Sequence, residues 1–206
     1  MRFHPSHFAA LSRSVGGCTI AHDPSSNSTD FEKALRLVAD AQASAKRGLA
    51  SGAGNGGSAL DVPCPDPQRK WTVIAFGAFG DRFDHEMASI NVLHHYSSQF
   101  ERLILMGERM TAELLPPGRH LIRPNPLIEG PTCGLLPVGG RCDAVWTSGL
   151  RWNLRGSALE FGGMVSSSNQ LMVDERSGAL EPVSITCTQP LVWTTVLRPE
   201  GWPGRA

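Results

Sequence analysis

Residues 71–106 read WTVIAFGAFGDRFDHEMASINVLHHYSSQFERLILM, and this stretch decides the fold. TVIAF and LILM are continuous apolar runs, as in parallel strands that are buried on both faces. Between them, Met87, Ile90 and Leu93 share one side of an amphipathic helix. Strand, loop, helix and strand in this order predict a β-α-β crossover, with the loop GAFGDRFDH at the carboxyl end of its strand. Open α/β sheets bind ligands at that end, so the loop is a candidate site.

The segment before this crossover predicts another helix. Apolar residues recur at helical spacing along one face: Phe31, Ala34, Leu35, Val38 and Ala39. Thr29 and Glu32 form a capping-box pattern, and Asp30 lies in the first turn, where the helix dipole favours an anion. The sequence CTIAH at 18–22 predicts a short strand upstream. Residues 44–70 lose this periodicity and are rich in Gly, Ala, Ser and Pro, which predicts a flexible insertion.

From Gly118 onward, short β-rich runs are separated by turn signals at intervals of about ten residues. The runs are HLIR, CGLLPV, DAVWTS, LRWNL, ALEF, LMV, VSITCT and LVWTTVL. This spacing is typical of an antiparallel sandwich. The predicted fold class is therefore α/β plus all-β: a partial parallel-sheet α/β domain over residues 1–117, followed by an antiparallel β-sandwich over residues 118–206.

Charge and composition exclude several classes of protein. The 206 residues carry 19 Lys and Arg against 19 Asp and Glu, so no surplus charge attracts nucleic acid or an anionic membrane. No apolar run reaches the roughly 18 residues that a membrane span needs. The 5 cysteines are odd in number and contain no C-x-x-C pair, which argues against a disulfide framework or a zinc site. A reducing, cytoplasmic location is the expectation.

The loop after TVIAF offers Arg82 and Asp84, two positions apart and preceded by glycines. An arginine can bind phosphate oxygens in a bidentate manner, and a nearby carboxylate can hold a metal or accept from a hydroxyl group. The alternative is a surface salt bridge in a turn. The sequence contains no Walker A loop, no GxGxxG, no GxSxG and no HExxH motif. His94 and His95 lie on the predicted helix and are interpreted as surface or packing residues.

In the β-rich half, Ser166 to Asn169 form a cluster of small hydrogen-bonding side chains that can bind the edge of a heteroaromatic ring. An ordinary polar turn is the alternative. Trp152 and Trp193 alternate with apolar neighbours, so each is either a core residue or an exposed platform for a flat cationic ring. Spacing alone leaves both choices open.

Taken together, these segments resemble the thiamine pyrophosphokinase family. STDFEKAL, GAFGDRFDHEMASINVL, LLPPGRH, EGPTCGLLPVGGRC, SGLRWNL, LEFGGMVSSSN and PLVWT follow the order and spacing of that family. The resemblance implies an enzyme that transfers diphosphate from ATP to the hydroxyethyl group of thiamine with Mg²⁺, giving thiamine diphosphate and AMP. It also implies a homodimer in which thiamine lies between the α/β part of one subunit and the sandwich of the other.

The resemblance also implies roles for individual residues. It makes Asp30, Arg82 and Asp84 catalytic, with Asp30 as the metal ligand, and Thr29, Trp152, Ser166, Ser168 and Asn169 substrate-binding. The carboxylate and its magnesium would neutralise charge on the transferring diphosphate together with the arginine, and the aromatic face suits the thiazolium cation.

The sequence departs from the family's pattern at several positions. Ser25, Ser26 and Asn27 stand where the family has Asp-Gln-Asp, and Asp81 replaces a glycine of the arginine loop. The family's Gly-Asp-x-Asp-Ser metal motif is absent, so we expect an N-terminally truncated chain with an unpaired sheet edge. The alternative function is a non-catalytic protein whose sandwich binds thiamine while its incomplete α/β half does not position ATP.

Overall fold

The computed structural model describes residues 26–51, 69–80, 82–174 and 179–198, which divide into two compact units. The first unit takes the described residues up to Trp71 together with Ser98–Glu101, and the second holds Thr72–Ser97 and the residues from Arg102 onward. The predicted strand at 18–22 lies outside the described residues. No helix in the described ranges is long and apolar enough to cross a membrane.

The first unit is built around helix α1, Asp30–Ser51. The Thr29 hydroxyl accepts from the backbone N–H of Glu32 at 3.2 Å, which confirms the predicted helix start. On the predicted apolar face Leu35 is buried, whereas Ala34 is exposed, and Gln42 is buried as well. The Gln42 side chain donates to the Gln99 carbonyl at 2.9 Å and accepts from the Trp71 N–H at 2.6 Å, so it joins three segments of this unit.

The expectation that the insertion begins at residue 44 is wrong, because α1 continues to Ser51. The residues from 44 to 51 read SAKRGLAS and consist mostly of good helix formers, although they show no apolar stripe. Periodicity reports which face a helix buries, and a helix can continue beyond the part that is packed. Most of the remaining insertion lies outside the described residues.

The second unit begins with the predicted crossover. Strand β1, Thr72–Phe76, is followed by helix α2, Phe83–Tyr96, a 3₁₀ turn at Ser97–Gln99, and strand β2, Arg102–Met106. β1 and β2 pair in parallel, which confirms the β-α-β prediction. Ile90 and Leu93 of α2 are buried, whereas Met87 is partly exposed.

The remaining strands are antiparallel and form two sheets. They are β3 Met110–Leu115, β4 Gly118–Ile122, β5 Glu129–Leu136, β6 Cys142–Ser148, β7 Arg155–Leu159, β8 Ser166–Gln170, β9 Val183–Cys187 and β10 Leu191–Leu197. One sheet has the order β1-β2-β3-β10-β5-β8, and the other has the order β4-β9-β6-β7. The fold class, α/β plus an antiparallel sandwich, is confirmed. The larger sheet includes strands from both sides of the boundary predicted at residue 117, so that boundary stays a prediction.

The core of this unit lies among the antiparallel strands. Side chains from both sheets are fully buried in one cluster, including Leu135, Val145, Ile185 and Leu191. Trp193 belongs to this cluster at 2% exposure, which settles its role as a core residue. Burial of such apolar side chains is the main source of stability in a domain of this kind.

Strand β1 is parallel as predicted, but it is not buried on both faces. It is the outermost strand of its sheet, and among the described residues no strand pairs with its other edge. Ile74 and Phe76 are 46% and 77% exposed. In β2, Leu103 and Leu105 on one face are buried, whereas Ile104 and Met106 on the other face are only partly buried.

Candidate functional site

The glycine loop that follows β1 lies at the carboxyl end of the parallel pair. Gly77 and Gly80 have φ values of +75° and +121°, in the region that favours glycine. The N–H of Gly80 donates to the Glu86 carboxylate at 2.8 Å, and the N–H of Gly77 donates to the Met106 carbonyl at 2.9 Å. The loop is thus anchored to the first turn of α2 and to the end of β2. Asp81, one of the departures from the family pattern, lies outside the described residues.

Arg82 and Asp84 are brought together at the start of α2. The Arg82 Nε and Nη2 atoms donate to the two Asp84 carboxylate oxygens at 3.0 and 2.5 Å. Both side chains are more than half exposed. The hydrogen bond from Arg82 holds the pKa of the Asp84 carboxyl below its usual 3.8. The pair is a surface salt bridge in this structure, and the same bidentate guanidinium can bind a phosphate group that displaces the carboxylate.

Thr29 and Asp30 lie in the first unit, at the amino terminus of α1. The Asp30 carboxylate is fully exposed, and the Lys33 ammonium group lies 3.5 Å from it. This long contact leaves the carboxylate accessible. Within residues 26–51, 69–80, 82–174 and 179–198, no three His, Cys, Asp or Glu side chains are close enough to hold a metal ion by themselves.

The serine cluster of the sandwich forms a β-bulge on edge strand β8. Cys133 of β5 pairs with Asn169 of β8, and Leu135 pairs with Ser166. Between these two pairs β8 carries one more residue than β5. Ser168 has a φ of +56°, the one non-glycine residue in the described ranges with a positive φ. As a result Ser166 and Asn169 both point inward and are buried, whereas Ser167 and Ser168 are exposed.

The amide of Asn169 is fully occupied by bonds within the protein. Its Oδ1 accepts from the N–H groups of Trp152 and Gln170, at 3.2 and 2.8 Å. Its Nδ2 donates to the Trp152 carbonyl at 2.9 Å and to the Ser166 hydroxyl at 3.4 Å. These bonds use both donors and both acceptor positions of the amide. The predicted contact between Asn169 and thiamine stays a prediction, and the observed contacts position the main chain of Trp152.

Trp152 is presented at the surface by the loop that connects β6 with β7. Its side chain is 53% exposed, in contrast to the buried Trp193. The guanidinium carbon of Arg151 lies 4.8 Å from the centroid of the indole ring, a cation–π contact. The Arg151 Nη1 atom also donates to the Gln170 side chain at 2.8 Å. Trp152 is therefore an exposed aromatic platform, as one of the two sequence interpretations predicts.

Arg151 and Gln170 are the residues near this platform that sequence reasoning missed. Arg151 is adjacent to the tryptophan in sequence, and a basic residue beside an exposed aromatic residue is a signal that could have identified it. Gln170 carries no such signal. Its contact with Arg151 depends on β8 lying beside the β6–β7 loop, which only the tertiary structure brings about.

The two parts of the candidate site within the second unit lie at opposite edges of one sheet. Arg82 and Asp84 follow β1, the first strand in the sheet order, and Trp152 is bound to β8, the last. Five strand spacings of about 4.8 Å separate these edges by about 24 Å. Within one chain, this is far more than a two-ring vitamin can span.

Two sequence models of one family match the chain. The catalytic domain of thiamin pyrophosphokinase matches residues 7–105, and its vitamin B1 binding domain matches residues 119–192. The chain is 42% identical over 127 residues to "Thiamine pyrophosphokinase 1" of Oryza sativa subsp. japonica, covering 61% of this chain and 45% of that protein. It is 36% identical over 132 residues to "Thiamine pyrophosphokinase 2" of Arabidopsis thaliana, covering 64% and 46%. The chain thus spans a little under half the length of these relatives.

Solved structures share the fold. The thiamin pyrophosphokinase from Candida albicans aligns with a TM-score of 0.70 at 22% identity, covering 95% of this chain and 70% of that one. The yeast thiamin pyrophosphokinase aligns with a TM-score of 0.63 at 23% identity, covering 87% and 62%. At these identities the likeness shows the architecture alone. Because the two domain models together match most of the sequence, the chain belongs to the thiamin pyrophosphokinase family.

Proposed function

We propose that the protein is a thiamine diphosphokinase. In this reaction the hydroxyl oxygen of thiamine attacks the β-phosphorus of ATP, the bond from that phosphorus to the α-phosphate oxygen breaks, and AMP leaves. The observation that carries the proposal is the exposed Trp152 platform, which lies within the segment matched by the vitamin B1 binding domain. The catalytic-domain match and the relatives named thiamine pyrophosphokinase supply the reaction type.

The Arg82–Asp84 pair is proposed to act on the transferring diphosphate. Arg82 already makes two parallel hydrogen bonds to a carboxylate, and a phosphate presents the same arrangement of oxygens. When Arg82 turns to the diphosphate, the Asp84 carboxylate becomes available to the thiamine hydroxyl. Since its pKa is lowered, Asp84 is a weak proton acceptor. We therefore assign it to orienting the hydroxyl, whose proton passes to solvent.

The Asp30 carboxylate is proposed to hold Mg²⁺. Magnesium that serves nucleotides is commonly bound by one or two carboxylates together with substrate phosphates, and it keeps several waters. One accessible carboxylate fits that pattern, and a complete protein cage is not required. When bound, the ion would supply charge neutralisation at the phosphates of ATP. Thr29 fixes the start of the helix on which Asp30 lies and is proposed to contribute to the same binding region.

Thiamine is proposed to bind at the Trp152 platform. Its thiazolium ring is a flat cation, and an indole face attracts such a group. The exposed hydroxyl of Ser168 is available for the polar edge of the pyrimidine ring. Asn169 acts indirectly, because its bonds fix the Trp152 main chain, and Ser166 accepts a hydrogen bond from the Asn169 amide.

A homodimer is proposed because one chain cannot enclose the substrates by itself. The platform lies beside one edge strand of the sheet and the Arg82–Asp84 pair follows the other, and these two edges are about 24 Å apart. A second copy with twofold symmetry would place the platform of one subunit opposite the glycine loop of the other, and would form two equivalent sites. A cytoplasmic location is part of the proposal. It is supported by Cys133, Cys142 and Cys187, which are buried and free.

The test is an incubation of the chain with ATP, Mg²⁺ and thiamine, followed by chromatographic detection of AMP and thiamine diphosphate. The proposal expects both products in equal amounts, and it expects their loss in an Asp84→Asn variant that still binds thiamine. Absence of both products from a folded protein that binds thiamine would support the non-catalytic alternative. Absence of thiamine binding as well would remove both functions.

A further inference from the structure

The charge of Arg151 stands beside the proposed thiamine platform, and no carboxylate of the described residues pairs with it. Its guanidinium group lies over one face of the Trp152 indole and is held by the neutral side chain of Gln170. The main chain is fixed as well, because the N–H of Arg151 donates to the Gln170 carbonyl at 2.8 Å. Among the described residues, Arg151 takes part in no ion pair. The positive charge at the platform is therefore held in place, and no described residue neutralises it.

The guanidinium group also determines which face of the indole a ligand can use. One face is covered by Arg151, and the side chain nevertheless remains 53% exposed. A ring that stacks on the open face lies about 3.5 Å from the indole, the usual separation of atoms in contact. The guanidinium then lies about 8 Å from that ring, beyond the tryptophan. At this distance, two unit charges near a protein surface still interact appreciably, and salt weakens the interaction.

We propose that Arg151 is a specificity-determining residue that favours ring ligands with an anionic tail over the cationic ring alone. This inference rests on the function proposed above. There, the charge of Arg151 would increase the preference of the platform for the product, thiamine diphosphate, over thiamine. Both ligands stack the same ring, but thiamine is a cation and its diphosphate ester is a net anion. The guanidinium repels the first and attracts the second.

The ratio of two dissociation constants separates this charge effect from a loss of packing. A change in the orientation of Trp152 alters the stacking of both ligands alike and leaves the ratio unchanged. Removal of the charge weakens binding of the diphosphate and strengthens binding of thiamine. From Coulomb interactions at about 8–10 Å in a medium close to water, we expect the ratio to change by about 3- to 10-fold.

The experiment measures both dissociation constants by isothermal titration calorimetry for the wild type and three variants. Arg151→Gln removes the charge, Arg151→Lys retains it, and Arg119→Gln removes an exposed arginine on β4, at the far side of the smaller sheet from β7. The expected result is a 3- to 10-fold loss of preference for the diphosphate in R151Q alone, which shrinks as salt is added. An unchanged ratio in R151Q, or an equal change in R119Q, would overturn the inference.

A second measurement tests the same charge without thiamine. Iodide and caesium ions quench the fluorescence of exposed tryptophan. The contribution of Trp152 to the quenching is obtained by subtracting the signal of the same protein with Trp152→Phe. We expect iodide to quench this contribution more strongly than caesium in the wild type, with the preference lost in R151Q. If the wild type binds neither ligand, the proposed function fails. Equal iodide preference in wild type and R151Q would then overturn the Arg151 inference separately.

Discussion

Replacement of Asn169 by alanine tests the physical basis of the proposed thiamine platform. The Asn169 side chain is 3% exposed and makes three hydrogen bonds of 3.2 Å or less to main-chain groups of Trp152 and Gln170. At about 1 kcal/mol for each bond, their loss lowers the free energy of unfolding by about 3 kcal/mol. Because Trp152 is also freed from its position, the dissociation constant of thiamine should rise in the same variant.

Two neighbouring serines provide a graded control. Ser166→Ala removes one long bond of 3.4 Å, so its loss should be about 1 kcal/mol or less. Ser167 is exposed, and Ser167→Ala should fall within about 0.5 kcal/mol of the wild type. The assay is urea unfolding followed by tryptophan fluorescence and circular dichroism. If Asn169→Ala is no less stable than Ser166→Ala, the Asn169 amide does not hold the platform and the reasoning is refuted.

Four further predictions concern the helix and the reacting groups. Burial and the neighbouring His95 lower the pKa of His94 below 6.5. Its contribution to stability is therefore present above pH 6.5 and is lost as the pH falls through the lowered pKa. His94→Gln should flatten the curve of melting temperature against pH below pH 6.5, and an unchanged slope would contradict this. Gly139→Ala would place a Cβ atom 2.4 Å from His94 Cε1 and should cost about 1–3 kcal/mol in thermal unfolding, with recovery in the His94→Ala, Gly139→Ala double variant. Arg82→Lys keeps the charge but loses the bidentate geometry, and should lower kcat at least tenfold in the AMP assay; wild-type turnover would exclude Arg82 from phosphate binding. Trp152→Ala should raise the KM for thiamine about tenfold with little change in the KM for ATP, and equal effects on both would argue against a thiamine platform.

The local pattern of the sequence predicted the elements because local physics sets them. Thr29 caps α1, and the apolar runs on either side of α2 are parallel strands. The same local reasoning failed at residues 44–51, where the helix continues without an apolar face. It also described TVIAF as buried, whereas Ile74 and Phe76 are exposed at the edge of the sheet. Burial depends on which strands become neighbours, and a local pattern does not specify this.

The site residues show the same division. The sequence could pair Arg82 with Asp84, because two residues at that spacing meet in a helix start. The sequence did not show which of the two tryptophans is a core residue and which is exposed, and only the strand order distinguishes them. Trp193 lies on β10, between β3 and β5 in the larger sheet, and is buried, whereas Trp152 lies in a loop beside the edge strand β8.

The amino-acid sequence by itself determined the crossover, the β-rich second half and the family, and it supplied the residue types of the proposed phosphate- and ring-binding site. The tertiary structure decided that β10 inserts between β3 and β5, from which it is distant in sequence. It also decided that a bulge turns Ser166 and Asn169 inward and that the Arg151 guanidinium packs on the Trp152 ring. The physical reason is the range of the interactions. Capping and periodic burial act over a few residues, whereas sheet order and the contacts across it arise from the packing of the whole unit.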